Sequence, residues 1–191
     1  MAAVREFKLT SSGLKHNIIQ LYDPVFSEPI YTCDVPKFNG MATLHQGASK
    51  NGDIVGACRN TKLGGDVKFI VYHPSTTGVS WIDMKNESRL TKANHFTFEP
   101  ESPSGELRRL QWRGTHDVPG PSRIDIAHLK LVDTATNEVV ARYIHKPICW
   151  WVMEGTFEMH EDLDAEWDLK VFLSCLAVLK YISLVWSCNV L

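Results

Sequence analysis

Residues 169–186 read LKVFLSCLAVLKYISLVW, and no other stretch of this 191-residue chain restricts the fold so tightly. From 171 to 186 the run is apolar on every face of a helix apart from Ser174, Ser183 and Lys180, and the two serines can hydrogen-bond back to the helix itself. A helix that is apolar all round must be enclosed on all sides, by lipid or by protein. The segment HEDLDAEWD before it reads as a helix start. Asp162 or Asp164 can accept from the first free N–H groups, and Glu166 and Asp168 complement the positive end of the dipole. A bilayer span takes about 20 predominantly apolar residues, and a Lys near its centre costs about 2.5–3.5 kcal/mol. The run here is shorter, contains Lys180 and has no flanking basic cluster. It is expected to be a buried protein helix.

What surrounds it is legible in the preceding residues. Short segments rich in β-branched and aromatic side chains alternate with turn signals and predict about twelve strands, over 6–9, 17–22, 30–33, 42–46, 54–59, 67–72, 79–83, 95–98, 107–113, 126–132, 139–145 and 150–159. Asn51-Gly52 is suited to the positive φ angles of a tight primed turn, Gly64-Gly65 and Thr77-Gly78 do similar work, and 133–137 fits a slightly longer hairpin loop. An antiparallel sheet can remove its edges by closing, and a barrel of about twelve strands is too wide for its own side chains to fill. One hydrophobic helix through the middle solves the packing. The expected architecture is mainly β: one domain over 1–191, an antiparallel closed barrel wrapped around a central C-terminal helix at about 164–187. In that arrangement the Lys180 ammonium should reach a barrel mouth, a carbonyl or a carboxylate.

With 20 basic and 22 acidic residues, the formal net charge of −2 gives no field that would argue for nucleic acid. Cys33, Cys58, Cys149, Cys175 and Cys188 are widely spaced, odd in number and free of C-x-x-C pairs, which favours neither a disulfide framework nor a structural zinc site. Cys175, within the apolar run, reads as an inert packing residue. Cys188 beyond Trp186 reads as exposed; a single acyl chain on it would give only marginal membrane binding. The first residues hold no apolar run long enough for a signal peptide, so the expected location is cytoplasmic, with peripheral membrane association as an extension. No G-x-S-x-G, H-E-x-x-H, Walker loop or dinucleotide fingerprint is present. Among eight histidines, His116 beside Asp117 in the loop RGTHDVPGP is the first candidate for acid–base chemistry, because His titrates near neutrality and barrel-end loops carry sites.

About twelve strands followed by one all-apolar C-terminal helix is similar to the tubby C-terminal domain and its relatives, the plant LURP-one-related proteins and the phospholipid scramblases. Asp162-Leu163-Asp164 followed by KVFLSCLAVL resembles the acidic lead into the scramblase helix, and GELRRLQWRG resembles the family's strand ending in Arg and Trp. HLKLVD, NEVVARYIHK and GTFEMHEDLD resemble the hairpins that deliver the chain to the helix, and the size resembles a compact single-domain fungal branch. The resemblance implies a phosphoinositide head group held by Lys and Arg on the barrel surface. Period-two alternation over 107–113 puts Arg109, Gln111 and Arg113 on one face and Leu110 and Trp112 toward the core. Lys68, Lys130, Arg142 and Lys146 would add cations from other strands. Scramblases carry a calcium-binding stretch just before the helix, to which His160, Glu161, Asp162, Asp164 and Glu166 would correspond. A calcium loop, however, wants a glycine for its sharp bend; none stands between Met159 and Trp186, and capping already accounts for the acids. No metal and no cofactor are expected. The leading expectation is a non-enzymatic module binding a lipid head group or a protein. One alternative is an enzyme acting on a small hydrophobic metabolite at a barrel-end pocket with His, Cys and carboxylate groups; another is a scramblase-like, membrane-associated protein.

Overall fold

The strand-forming segments close into a barrel because each pairs antiparallel with its neighbours in sequence and the first pairs with the last. In the computed structural model, residues 4–12, 18–36, 40–61, 65–72, 80–87, 95–115, 128–146 and 154–188 are described, the last four as backbone only. The strands are β1 (Arg5–Ser12), β2 (Ile18–Tyr22), β3 (Tyr31–Asp34), β4 (Ala42–Gln46), β5 (Ile54–Asn60), β6 (Val67–Val71), β7 (Ile82–Asn86), β8 (Phe96–Phe98), β9 (Leu110–Gly114), β10 (Leu129–Asp133), β11 (Val139–His145) and β12 (Gly155–Met159). They follow one another around the wall, and β1 against β12 closes it, with Arg5 opposite Met159. Side chains alternate between core and surface along strands such as β2 and β9, while β8 is buried throughout. In β9, Leu110 and Trp112 are buried while Gln111 and Arg113 face out, as the alternation predicts.

The helix α1 (Ala165–Cys188) fills the interior. Asp164 is its cap: one carboxylate oxygen accepts from the Trp167 N–H at 2.7 Å. Everything from Val171 to Leu179 is buried, and the contacts come from around the barrel. Phe172 stacks on Tyr31 and meets Phe157 edge-on, while Tyr181 meets Phe96 edge-on. The Trp112 indole N–H donates to Ser174 Oγ at 2.8 Å, and Ser174 donates onward to the Val171 carbonyl, so both buried polar groups are satisfied. Cys33, Cys58 and Cys175 are free and buried; burial pushes the Cys58 thiol up to about 12, against the opposing pull of Lys180. Among the described residues no helix is long and apolar enough to cross a membrane.

Lys180 sits where the helix begins to emerge, 2% exposed, and donates to the Gly40 carbonyl in the β3–β4 connection. Desolvation pulls its pKa below the ordinary lysine value. The expected carbonyl at a barrel mouth is what it finds.

Two local expectations are corrected. Asn51 and Gly52 do not carry positive φ; Gly47 does, at 82°, and the β4–β5 connection is a longer loop in which Gln46 N–H donates to the Asp53 carbonyl. Gly52 is needed for proximity, since a Cβ there would stand 2.0 Å from the Gln46 carbonyl oxygen. The seventh strand runs over Ile82–Asn86 rather than 79–83, because pairing with β6 sets Met84 opposite Val67 and Ile82 opposite Phe69. Gly65 (φ 72°) and Asn137 (φ 61°) do take the left-handed conformation their turns require. Thr77-Gly78 lies outside the described residues.

Candidate functional site

With the interior filled, the chemistry left on offer lies on the outer wall and at the two mouths. On the wall, strand register decides which cations meet. Arg113 of β9 is directly opposite Lys130 of β10, and Lys130 is directly opposite Arg142 of β11. Directly opposed residues have Cβ atoms about 4.5–5.5 Å apart. The row continues through Glu158 of β12 to Glu6 of β1, so three half-buried cations stand beside two carboxylates. Arg142 reaches Glu158 at 3.9 Å, and His160 Nε2 lies 3.3 Å from the same carboxylate. Arg113 Nε donates to Gln111 Oε1, which fixes the guanidinium along its own strand.

The other expected cations do not join this row. Arg109 shares the outer face but lies beyond the start of β9, 3.4 Å from Glu87 and 3.9 Å from Glu99. Lys146 follows β11 and is exposed, two alternations further along the wall than Arg142. Lys68 is taken up by Asp83 at 2.7 Å across β6 and β7. His116, Asp117 and Cys149 lie outside the described residues, and the side chain of Cys188 does too.

At the mouth where the helix enters lies a network that the outward-facing residues did not reveal. Arg108 forms a two-pronged pair with Glu161 at 2.8 and 2.9 Å, donates through Nε to Asp133 at 2.9 Å, and stacks 5.0 Å over the Trp167 ring. The hydrogen bonds to Glu161 foremost, then those to Asp133, raise the Arg108 pKa against the opposing effect of burial. Burial alone would raise the Asp133 carboxyl, but the Ala135 N–H, Arg108 and the Thr136 N–H together hold it below the ordinary carboxylate range. Arg5 pairs with both oxygens of Asp168 at 2.8 Å, and this bond is the chief reason its pKa is raised. Glu166 pairs with Lys170 at 2.9 Å. Glu161, Asp164, Glu166 and Asp168 of HEDLDAEWD therefore each have a structural task, and no group of three or more His, Cys, Asp or Glu among the described residues is placed to hold a metal.

Two depressions flank the first turn of the helix. One, of about 200 Å³, has apolar walls that include Phe7, Ile30, Tyr31, Phe157 and Phe172, with the Arg5–Asp168 pair at its edge. Burial raises the Tyr31 phenol above its ordinary pKa. The other, of about 270 Å³, is polar and lined by Glu101, Ser102, Asp164, Glu166, Trp167 and Lys170. Neither is lined by a histidine or a cysteine. Family models, curated proteins and solved structures return no match to the chain.

Proposed function

We propose that the protein is a binding module whose outer wall over β9, β10 and β11 takes a phosphorylated anionic head group of the kind a phosphoinositide presents. The observation that carries this reading is the row Arg113, Lys130, Arg142, aligned by backbone register on three consecutive strands. A phosphate above the row would accept charge-assisted hydrogen bonds from it, with two guanidinium groups shaped for two-point contact with phosphate oxygens. The interior is packed with helix, so a ligand would meet this wall from outside. The layout is the one on which the tubby-like resemblance rests, and that resemblance implies the same chemistry.

Vesicle flotation tests it, with phosphatidylcholine vesicles lacking or containing a phosphatidylinositol bisphosphate. Binding to the second only, at low salt, is expected. Lys130→Gln and Arg142→Gln should each weaken it about fivefold, at about 1 kcal/mol per cation near an anionic surface. Soluble inositol phosphate should compete. Absence of flotation, or flotation that ignores both substitutions, would remove the head-group reading.

A further inference from the structure

Away from the cation row of β9–β11, the mouth where the helix enters is rich in carboxylates and studded with apolar side chains. In an antiparallel barrel alternate connections fall at opposite ends, so those after β2, β4, β8 and β10, together with the lead into α1, share the mouth where the helix enters. Val25 (82% exposed) and Phe26 (61%) stand at the tip of the β2–β3 connection, held there by the Val25 N–H donating to Asp23 and the Phe26 N–H donating to the Asp23 carbonyl. Leu163, Val4 and Leu107 are exposed at the same end. Around them stand the exposed carboxylates of Glu28, Asp53, Glu106 and Glu138, with Asp162 and Glu166 beside them at 3.6 and 2.9 Å from Arg5 and Lys170. The described cations of this mouth, Arg5, Lys50, Arg108, Arg109 and Lys170, are each already in an ion pair.

We infer that this mouth docks a cationic amphipathic segment of a partner protein, an apolar side chain seated in the 200 Å³ depression and Lys or Arg reaching the exposed carboxylates around it, Glu28 and Asp162 among them. The helix leans toward β5 and β6, where Gly56 lets Leu173 approach the wall, and the apolar depression opens away from them, among β12, β1, β2 and β3. Its walls include the aromatic rings of Phe7, Tyr31, Phe157 and Phe172, and the exposed Phe26 and Leu163 at the same end of the barrel add apolar surface for the rest of the segment. An anionic ligand is disfavoured, since Asp164, Glu166 and Asp168 already complement the positive end of the helix. An anionic bilayer is disfavoured by the same carboxylates. This inference does not depend on the head-group reading, which concerns the wall of β9–β11.

The test uses a fluorescently labelled synthetic Leu/Lys amphipathic helix, its composition-matched shuffled isomer, and a Leu/Glu counterpart, titrated with the full chain. The Leu/Lys helix should bind most tightly, weaken as salt is raised, and perturb tryptophan emission through Trp167 at the polar depression. Phe26→Ser and Leu163→Ser, both on exposed side chains and so compatible with folding, should each weaken it about tenfold, as should Glu28→Lys combined with Asp162→Lys. Equal binding of the shuffled isomer, preference for the Leu/Glu helix, or indifference to the substitutions would overturn the inference. It is equally overturned if Phe26→Ser instead abolishes concentration-dependent self-association in sedimentation, which would make a second copy the occupant, or abolishes flotation with anionic vesicles, which would make it a lipid surface.

Discussion

Charged residues in phase with the core hold the helix-entry mouth together. Arg108 shares its alternation with Leu110 and Trp112, and Asp133 shares its own with Leu129 and Leu131, so both charges project inward and must find each other. Removing one partner from a buried pair costs about 3–5 kcal/mol, because the other is left charged and unpaired. Arg108→Ala should approach that cost, measured by chemical denaturation, since it strands Asp133 and Glu161 together. The pH dependence follows from Asp133, whose folded pKa is lowered from 3.8. Its contribution is fully present above the unfolded value and is lost as pH falls from there through the lowered folded value. Thermal melts below about pH 4 should therefore lose stability more steeply in the native protein than in Asp133→Asn, which should be less stable at pH 7 but flatter in acid. Equal slopes would mean that Asp133 is not the responsible carboxylate. The alternation that singles out Arg109 and Arg113 as outward also marks Arg108 as inward. What it lacks is the partner, because Glu161 approaches only once β12 and the helix lead are in place.

At the scale of elements, strands were legible wherever a pleat with one buried face imposes period two, and the helix was legible because no face of it is polar. Boundaries set by partners were not. The β7 span follows from where β6 places Val67 and Phe69, a non-local constraint, and the β4–β5 connection takes its positive φ at Gly47 because the loop folds back to Ile30, whose carbonyl accepts the Gly47 N–H at 2.8 Å. The cation row was legible only in part. Arg113 was identifiable on its face, but its meeting with Lys130 and Arg142 is a property of register across connections. The approach of the helix to the wall at Gly56 is likewise non-local. A Cβ on Gly56 would lie 2.3 Å from Leu173 Cδ1 and 2.9 Å from the Ile70 carbonyl oxygen. Gly56→Ala should cost about 1–3 kcal/mol by overpacking. Leu173→Ala should relieve the side-chain clash but not the carbonyl contact, so the double variant should be less destabilised than the sum of the singles. Strict additivity in that cycle would show that the helix yields freely to the wall.

For the whole molecule, helix and barrel are mutually dependent. The wall is closed only by β1 against β12, strands at opposite ends of the barrel-forming sequence, and it encloses a helix that follows all twelve. Without the helix, Leu44, Phe69, Phe96, Trp112, Leu131 and Phe157 would line an open lumen, and without the wall the helix would expose apolar side chains on every face. Neither part buries enough apolar surface alone to offset its ordering entropy. Unfolding should therefore be one transition, with tryptophan emission, to which the fully buried Trp112 and Trp167 contribute, and far-UV circular dichroism coinciding along a denaturant series. Refolding should be slow for the chain length, because the closing pairs are distant in sequence and loop closure precedes any gain from them. An emission change completed before the dichroism begins to fall would mean that the helix-entry mouth opens as a separate unit. In that case the acidic mouth and the cation row of β9–β11 would belong to parts of different stability, each melting on its own.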